Sequence, residues 1–217
     1  MDEFIREVRE DVRRDRALEL WRKYGKYAIG LVLAAIIAAA AVVGWRDYQQ
    51  AQRAKHGMIY AEALDLVREG QTGAAIAAFN NLAVDAGRGY AELARLQQAA
   101  LLARDGNGAG AAAIYEQLAS DTGADRMFRD LALILLALNT ADTADPAELS
   151  RRLEPLTAKD NPWRFSALEV TALLAQNSGD KARAEEIFKS LADDVTAPRQ
   201  VRARASAMLA SLGEERR

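Results

Sequence analysis

Three times along this chain a glycine is followed five residues later by alanine, nine later by an aromatic and twelve later by Leu-Ala. The copies are Gly70, Ala75, Phe79, Leu82-Ala83; Gly106, Ala111, Tyr115, Leu118-Ala119; and Gly179, Ala184, Phe188, Leu191-Ala192. The glycines lie 36 and then 73 residues apart, so one degenerate unit fits between the last two, with Asp142, Pro146 and Ala147 marking its place. Seven residues before each glycine stands another alanine, Ala63, Ala99 or Ala172. Small residues facing one another let two antiparallel helices approach closely, and the aromatic fills the gap beside them. Each unit therefore reads as a helix hairpin. One hairpin cannot cover its own apolar face, so the units stack into a short right-handed solenoid.

The rest of the outer chain agrees. Four prolines in 217 residues, little β-branched alternation and dense Ala, Leu, Glu and Arg predict an all-helical domain. Gly70, Gly106 and Gly179 close first helices as residues that accept a positive φ, and Asn107 and Asp180 open the next helices. Pro162 opens the first helix of the fourth unit with Asn161 as its cap, and Ala197-Pro198 restarts a terminal capping helix over 199–212. About four hairpins and a cap result.

Ahead of this domain lies an uncharged run, Ala28 to Gly44, AIGLVLAAIIAAAAVVG. With Tyr27 and Trp45 it spans about 28 Å as a helix, close to the hydrocarbon thickness of a bilayer. The two aromatics stand where amphipathic rings prefer the headgroups, and Arg22, Lys23, Lys26 and Arg46 fence the ends. Eight basic residues precede the run, against Arg46, Arg53 and Lys55 in the twenty positions after it. That bias predicts a cytoplasmic N-terminus and an outer C-terminal domain. A cleaved signal is the weaker alternative, because 26 mixed-charge residues precede the run. A buried core helix would need a polar face that this run lacks. The expected domains are thus a cytoplasmic segment 1–26, a transmembrane helix 27–45 and an outer helical domain 46–217.

The hairpin spacing resembles the tetratricopeptide repeat over about 54–212, with Gly87 and Gly123 where that repeat ends its units in proline. The layout as a whole, with Tyr24-Gly25-Lys26-Tyr27 before the span and Gly44-Trp45-Arg46-Asp47-Tyr48 after it, resembles the YfgM-like ancillary subunit family of the bacterial Sec translocon. The resemblance implies a single-pass inner-membrane protein whose tetratricopeptide-like domain lies in the periplasm. It also implies association with the SecYEG translocon and a membrane-anchored periplasmic chaperone, with secreted clients as further partners. It brings no catalytic residues.

The residues themselves offer little chemistry. Cysteine is absent and His56 is the single histidine, so no metal site and no nucleophile–base pair can be named. The Gly106-Asn107-Gly108-Ala109-Gly110 cluster lacks the preceding strand and the lysine of a phosphate loop, and reads as an interhelical turn. From Arg46 onward 21 basic residues face 24 acidic ones without a basic stripe, which argues against nucleic acid. No enzyme activity, cofactor or small-molecule substrate is expected.

What remains is a protein-binding groove on the first helices, six and ten residues before each glycine: Leu64 and Tyr60, Ala100 and Leu96, Leu173 and Glu169. This mostly apolar face suits an extended apolar segment or a partner helix, although the same periodicity also serves packing between hairpins. Trp163 and Phe165 form a second candidate, either as an interface anchor or as a seal between the third and fourth units. On the N-terminal segment Phe4, Val8 and Val12 share one row, which docks on the cytoplasmic leaflet or a channel loop, or is simply solvated. The expected role is a membrane-anchored interaction adaptor at the translocon. The alternative is a scaffold for cell-wall or outer-membrane assembly.

Overall fold

The computed structural model describes the backbone of residues 2–214 and the side chains of 22–24, 30, 33 and 36–213. Two compact units are present, Met1–Lys55 and His56–Arg217. All regular structure among the described residues is helical: α1 Asp2–Arg68, α2 Thr72–Asp85, α3 Tyr90–Arg104, α4 Gly108–Ser120, α5 Arg126–Asn139, α6 Pro146–Leu153, α7 Arg164–Asn177, α8 Lys181–Asp193 and α9 Arg199–Glu214. A short 3-10 turn, Glu154–Thr157, extends α6.

In the first unit, α1 leaves Leu33, Ile36, Ile37, Val42, Val43, Trp45 and Tyr48 each more than half exposed. No helix among the described residues is long and apolar enough to cross a membrane. Within the expected span 27–45 the side chains of 27–29, 31, 32, 34 and 35 lie outside those described, as do the side chains of the Phe4, Val8, Val12 row.

The second unit is the hairpin stack. Three of its first helices end in the same six-residue device. Gly70, Gly106 and Gly179 have φ of 75°, 84° and 82°. The residue after each donates its N–H back to the helix, Gln71 to Leu66, Asn107 to Leu102 and Asp180 to Ala175, at 2.8–2.9 Å. This left-handed closure satisfies carbonyls that would otherwise be orphaned, and only glycine adopts it without strain. The side chains of Asn107 and Asp180 then accept from the N–H groups of Gly110 and Arg183, opening α4 and α8 as expected.

The third hairpin keeps the register without the glycine. Counting from Ala144, the residues seven before and five, nine and twelve after are Ala137, Leu149, Leu153 and Leu156, all buried. Leucines thus replace alanine, aromatic and leucine, and Ala144 replaces glycine. Asp142 and Ala147, expected to mark this unit, are both exposed, whereas Pro146 does open α6 behind the cap Asp145. With no glycine to turn left-handed, α5 stops at Asn139 and a turn closed by Thr143 and Ala144 N–H groups on the Thr140 carbonyl bridges to Asp145.

At α7 the sequence expectation is off by a boundary. Asn161 accepts from the Trp163 N–H across Pro162, and the helix begins only at Arg164.

Every hairpin core is completed by the next first helix. Ala63, Ala75, Phe79 and Leu82 pack with Ala94 and Leu101 of α3. Ala99, Ala111, Tyr115 and Leu118 pack with Ala132 and Leu136 of α5. The third core takes Ala167, Val170 and Leu174 from α7, and the fourth takes Val201, Ala205 and Leu212 from α9. Each fully buried Leu or Phe contributes about 1.5–3 kcal/mol relative to exposure, so part of every hairpin's stability depends on the helix that follows it.

Candidate protein-binding site

The residues expected to line the first-helix face divide between packing and exposure. Tyr60 stands edge-on to Phe79 at 5.5 Å between ring centres, and its hydroxyl accepts from Gln97 Nε2 at 3.1 Å. Leu64 packs half-buried on the first core, Leu96 is buried in the second, and Leu173 packs half-buried on the fourth. Ala100 is exposed. Glu169 is held in a two-oxygen grip by Arg204 of α9, at 2.6 and 2.7 Å.

Trp163 and Phe165 take different places. The Trp163 indole N–H donates to the Met127 carbonyl of α5 at 3.1 Å and the ring packs against the third core, so it joins the third unit to the fourth. Phe165 packs half-buried on the fourth core with the Arg164 guanidinium 5.0 Å from its ring centre.

The corrected register adds a residue that sequence reasoning missed. Six residues before Ala144 stands Leu138, equivalent to Leu64, Ala100 and Leu173. It is 46% exposed and belongs to none of the four cores. Without a glycine at 144 there was no landmark from which to count back to it.

Two arginine–aspartate clasps stiffen the ends of hairpins. Asp121 and Asp194 both stand fifteen residues after their glycines, and each accepts a hydrogen bond from the backbone two residues on, Gly123 and Thr196. Arg95 of α3 reaches Asp121 at 3.0 Å, and Arg164 of α7 reaches Asp194 at 3.3 Å. The Gly123 N–H and then Arg95 hold the Asp121 carboxyl below the usual range. The Thr196 hydroxyl and N–H, with Arg164, do the same for Asp194. On α9 the Glu169 grip raises the Arg204 guanidinium. Burial raises the Tyr115 phenol. All these shifts have structural causes, and among the described residues no group of three or more His, Cys, Asp or Glu side chains converges as metal ligands would.

A cleft of about 750 Å³ opens between α6 and α8, floored by Leu168, Thr171 and Leu174 of α7. It follows from the short third hairpin: α6 has 8 residues where α2, α4 and α8 have 13 or 14. Pro146, followed eight residues later by Glu154-Pro155, was the sequence signal for that shortness.

No curated protein and no solved structure matches this chain. The tetratricopeptide repeat-like domain family does match, over residues 19–211. That range takes in all four hairpins and most of α9, and the chain belongs to the tetratricopeptide repeat-like domain family.

Proposed function

We propose that this protein is a single-pass inner-membrane adaptor of the bacterial envelope, with its N-terminus in the cytoplasm and its repeat domain in the periplasm. In this reading it is an ancillary subunit of the Sec translocon that links SecYEG to a membrane-anchored periplasmic chaperone. The repeat fold supports a protein-interaction scaffold in general. The observation that carries a binding role is the first-helix face, where Leu138 lies bare of any core and Ala100, at the equivalent position of the second unit, is exposed. A large apolar side chain left open on a helix face, in line with equivalent positions of other repeats, marks a contact surface for a partner.

The anchor rests on the sequence of residues 27–45 and on the exposed Ile36, Ile37, Val42 and Val43, which a bilayer would cover. Tethering confines the repeats beside other membrane proteins and raises effective concentration, so weak contacts suffice. The Gly44-Trp45-Arg46-Asp47-Tyr48 resemblance favours the translocon over another envelope assembly machine.

The test is site-specific photo-crosslinking from position 138 in intact membranes, with protease protection in spheroplasts. SecYEG subunits or a periplasmic chaperone in the adducts, lost in Leu138→Asp carrying the crosslinker at 100, is the expected result. Adducts only with cell-wall or outer-membrane assembly proteins would move the assignment to the alternative machine. Protection of the repeats from external protease would defeat the topology.

A further inference from the structure

We propose that the cleft between α6 and α8 is a seat for a short amphipathic helix of a protein partner, one whose apolar stripe is edged by lysine or arginine. This surface is separate from the first-helix face and does not depend on the envelope assignment.

The geometry selects a helix. Along α6 and its 3-10 extension the wall is Ala147, Ser150, Arg151 and Glu154; along α8 it is Arg183, Glu186, Ile187 and Ser190. Both rows follow i, i+3, i+4, i+7, so each wall is a helical ridge about 10 Å long. The floor repeats the pattern with Leu168, Thr171 and Ala175 of α7. Three ridges of this kind leave a trough that a fourth helix fills, as in a bundle. The small side chains at 147, 150 and 190 keep the mouth open, and the half-buried Leu168 and Ile187 offer an apolar bed.

The charge selects the edge. Glu154 and Glu186 are exposed, one on each wall, and no ion pair or hydrogen bond engages either carboxylate among the described residues. Asp180 adds a third negative charge at the start of α8, with one oxygen accepting from the Arg183 N–H. Against these stands only the exposed Arg183, because Arg151 is already paired with Glu148 on its own helix. Complementarity therefore favours a partner bringing positive charge to both rims.

The chain has no cysteine, so Ser190→Cys in the full-length protein takes a single fluorophore at the mouth of the cleft. The ligands are a Leu/Ala/Lys amphipathic peptide of about 16 residues, its twin with Glu for Lys, and the Lys peptide with a central proline. The Lys peptide saturates the signal, and the other two bind at least about tenfold more weakly. Glu154→Lys with Glu186→Lys inverts the preference between the charged twins. Both sites are exposed, so the helical circular dichroism and the thermal midpoint stay unchanged, while Leu138→Asp leaves binding intact. Absence of saturable Lys-peptide binding overturns the proposal. So does equal binding of all three peptides, or binding abolished by Leu138→Asp and retained in the Glu154→Lys, Glu186→Lys protein.

Discussion

Arg204 of α9 donates from Nε and Nη2 to the two carboxylate oxygens of Glu169 on α7, at 2.6 and 2.7 Å. A planar fork on a carboxylate fixes direction as well as distance, so this pair sets how the last helix lies against the last hairpin. Arg204 is 55% exposed, and water weakens the attraction. Arg204→Lys therefore costs about 0.5–1 kcal/mol, read as a lower urea midpoint with unchanged slope. Amide exchange accelerates first in α9, ahead of α3 and α5.

Gly57 of α1 is the seat of Tyr90. A Cβ at position 57 would lie 2.8 Å from the Tyr90 hydroxyl and 3.4 Å from the ring carbon that bears it. Gly57→Ala in the native background thus displaces a ring that also stands against His56 and Tyr60. Removing the hydroxyl relieves the clash. Tyr90→Phe with Gly57→Ala is at least as stable as Tyr90→Phe alone, because alanine gains up to about 1 kcal/mol over glycine inside a helix. A double-mutant cycle by chemical denaturation checks the sign of the coupling, and additive effects would refute the seat.

Phe188 is fully buried between α7 and α8, whereas Val195 in the following turn is 83% exposed. Phe188→Ala loses about 3–5 kcal/mol through transfer and cavity terms. Val195→Ala stays within about 0.5 kcal/mol. Thermal melts of the two variants separate accordingly.

Acid loosens the hairpin clasps. Asp121 and Asp194 titrate lower in the folded chain than in the unfolded one, so each contributes stability that is complete above the unfolded carboxylate value. That contribution is lost as pH falls from the unfolded value through the folded one. Urea midpoints measured from neutral pH into the acid range drop on this limb. The drop is shallower in Asp121→Asn with Asp194→Asn, which has less to lose. A limb of undiminished depth in that double variant would show that other carboxylates set it.

Where a residue type had a single structural meaning, the chain was readable. Glycines at 70, 106 and 179 announced left-handed closures, the alanines at 63, 99 and 172 announced close helix approach, and all of them take those places. The third hairpin was hidden because leucine serves any apolar position and carries no register of its own. Hence Leu149, Leu153 and Leu156 went unrecognised, the unit was marked only by Asp142, Pro146 and Ala147, and Leu138 was not counted on the face. The cleft was hidden for another reason: it depends on the relative lengths of α6 and α8 and on what α7 places beneath them, a relation among three separated segments.

Because the core of each hairpin borrows side chains from the helix that follows, none of the repeats is finished when its own residues have been made. During synthesis, Phe79 and Leu82 wait for Ala94 and Leu101, and Phe188 and Leu191 wait for Val201 and Leu212. The unsatisfied edge therefore travels with the ribosome toward the C-terminus and is quenched only when α9 emerges. A stop codon that removes α9 leaves the fourth hairpin with its apolar edge uncovered, which opens the product to proteolysis.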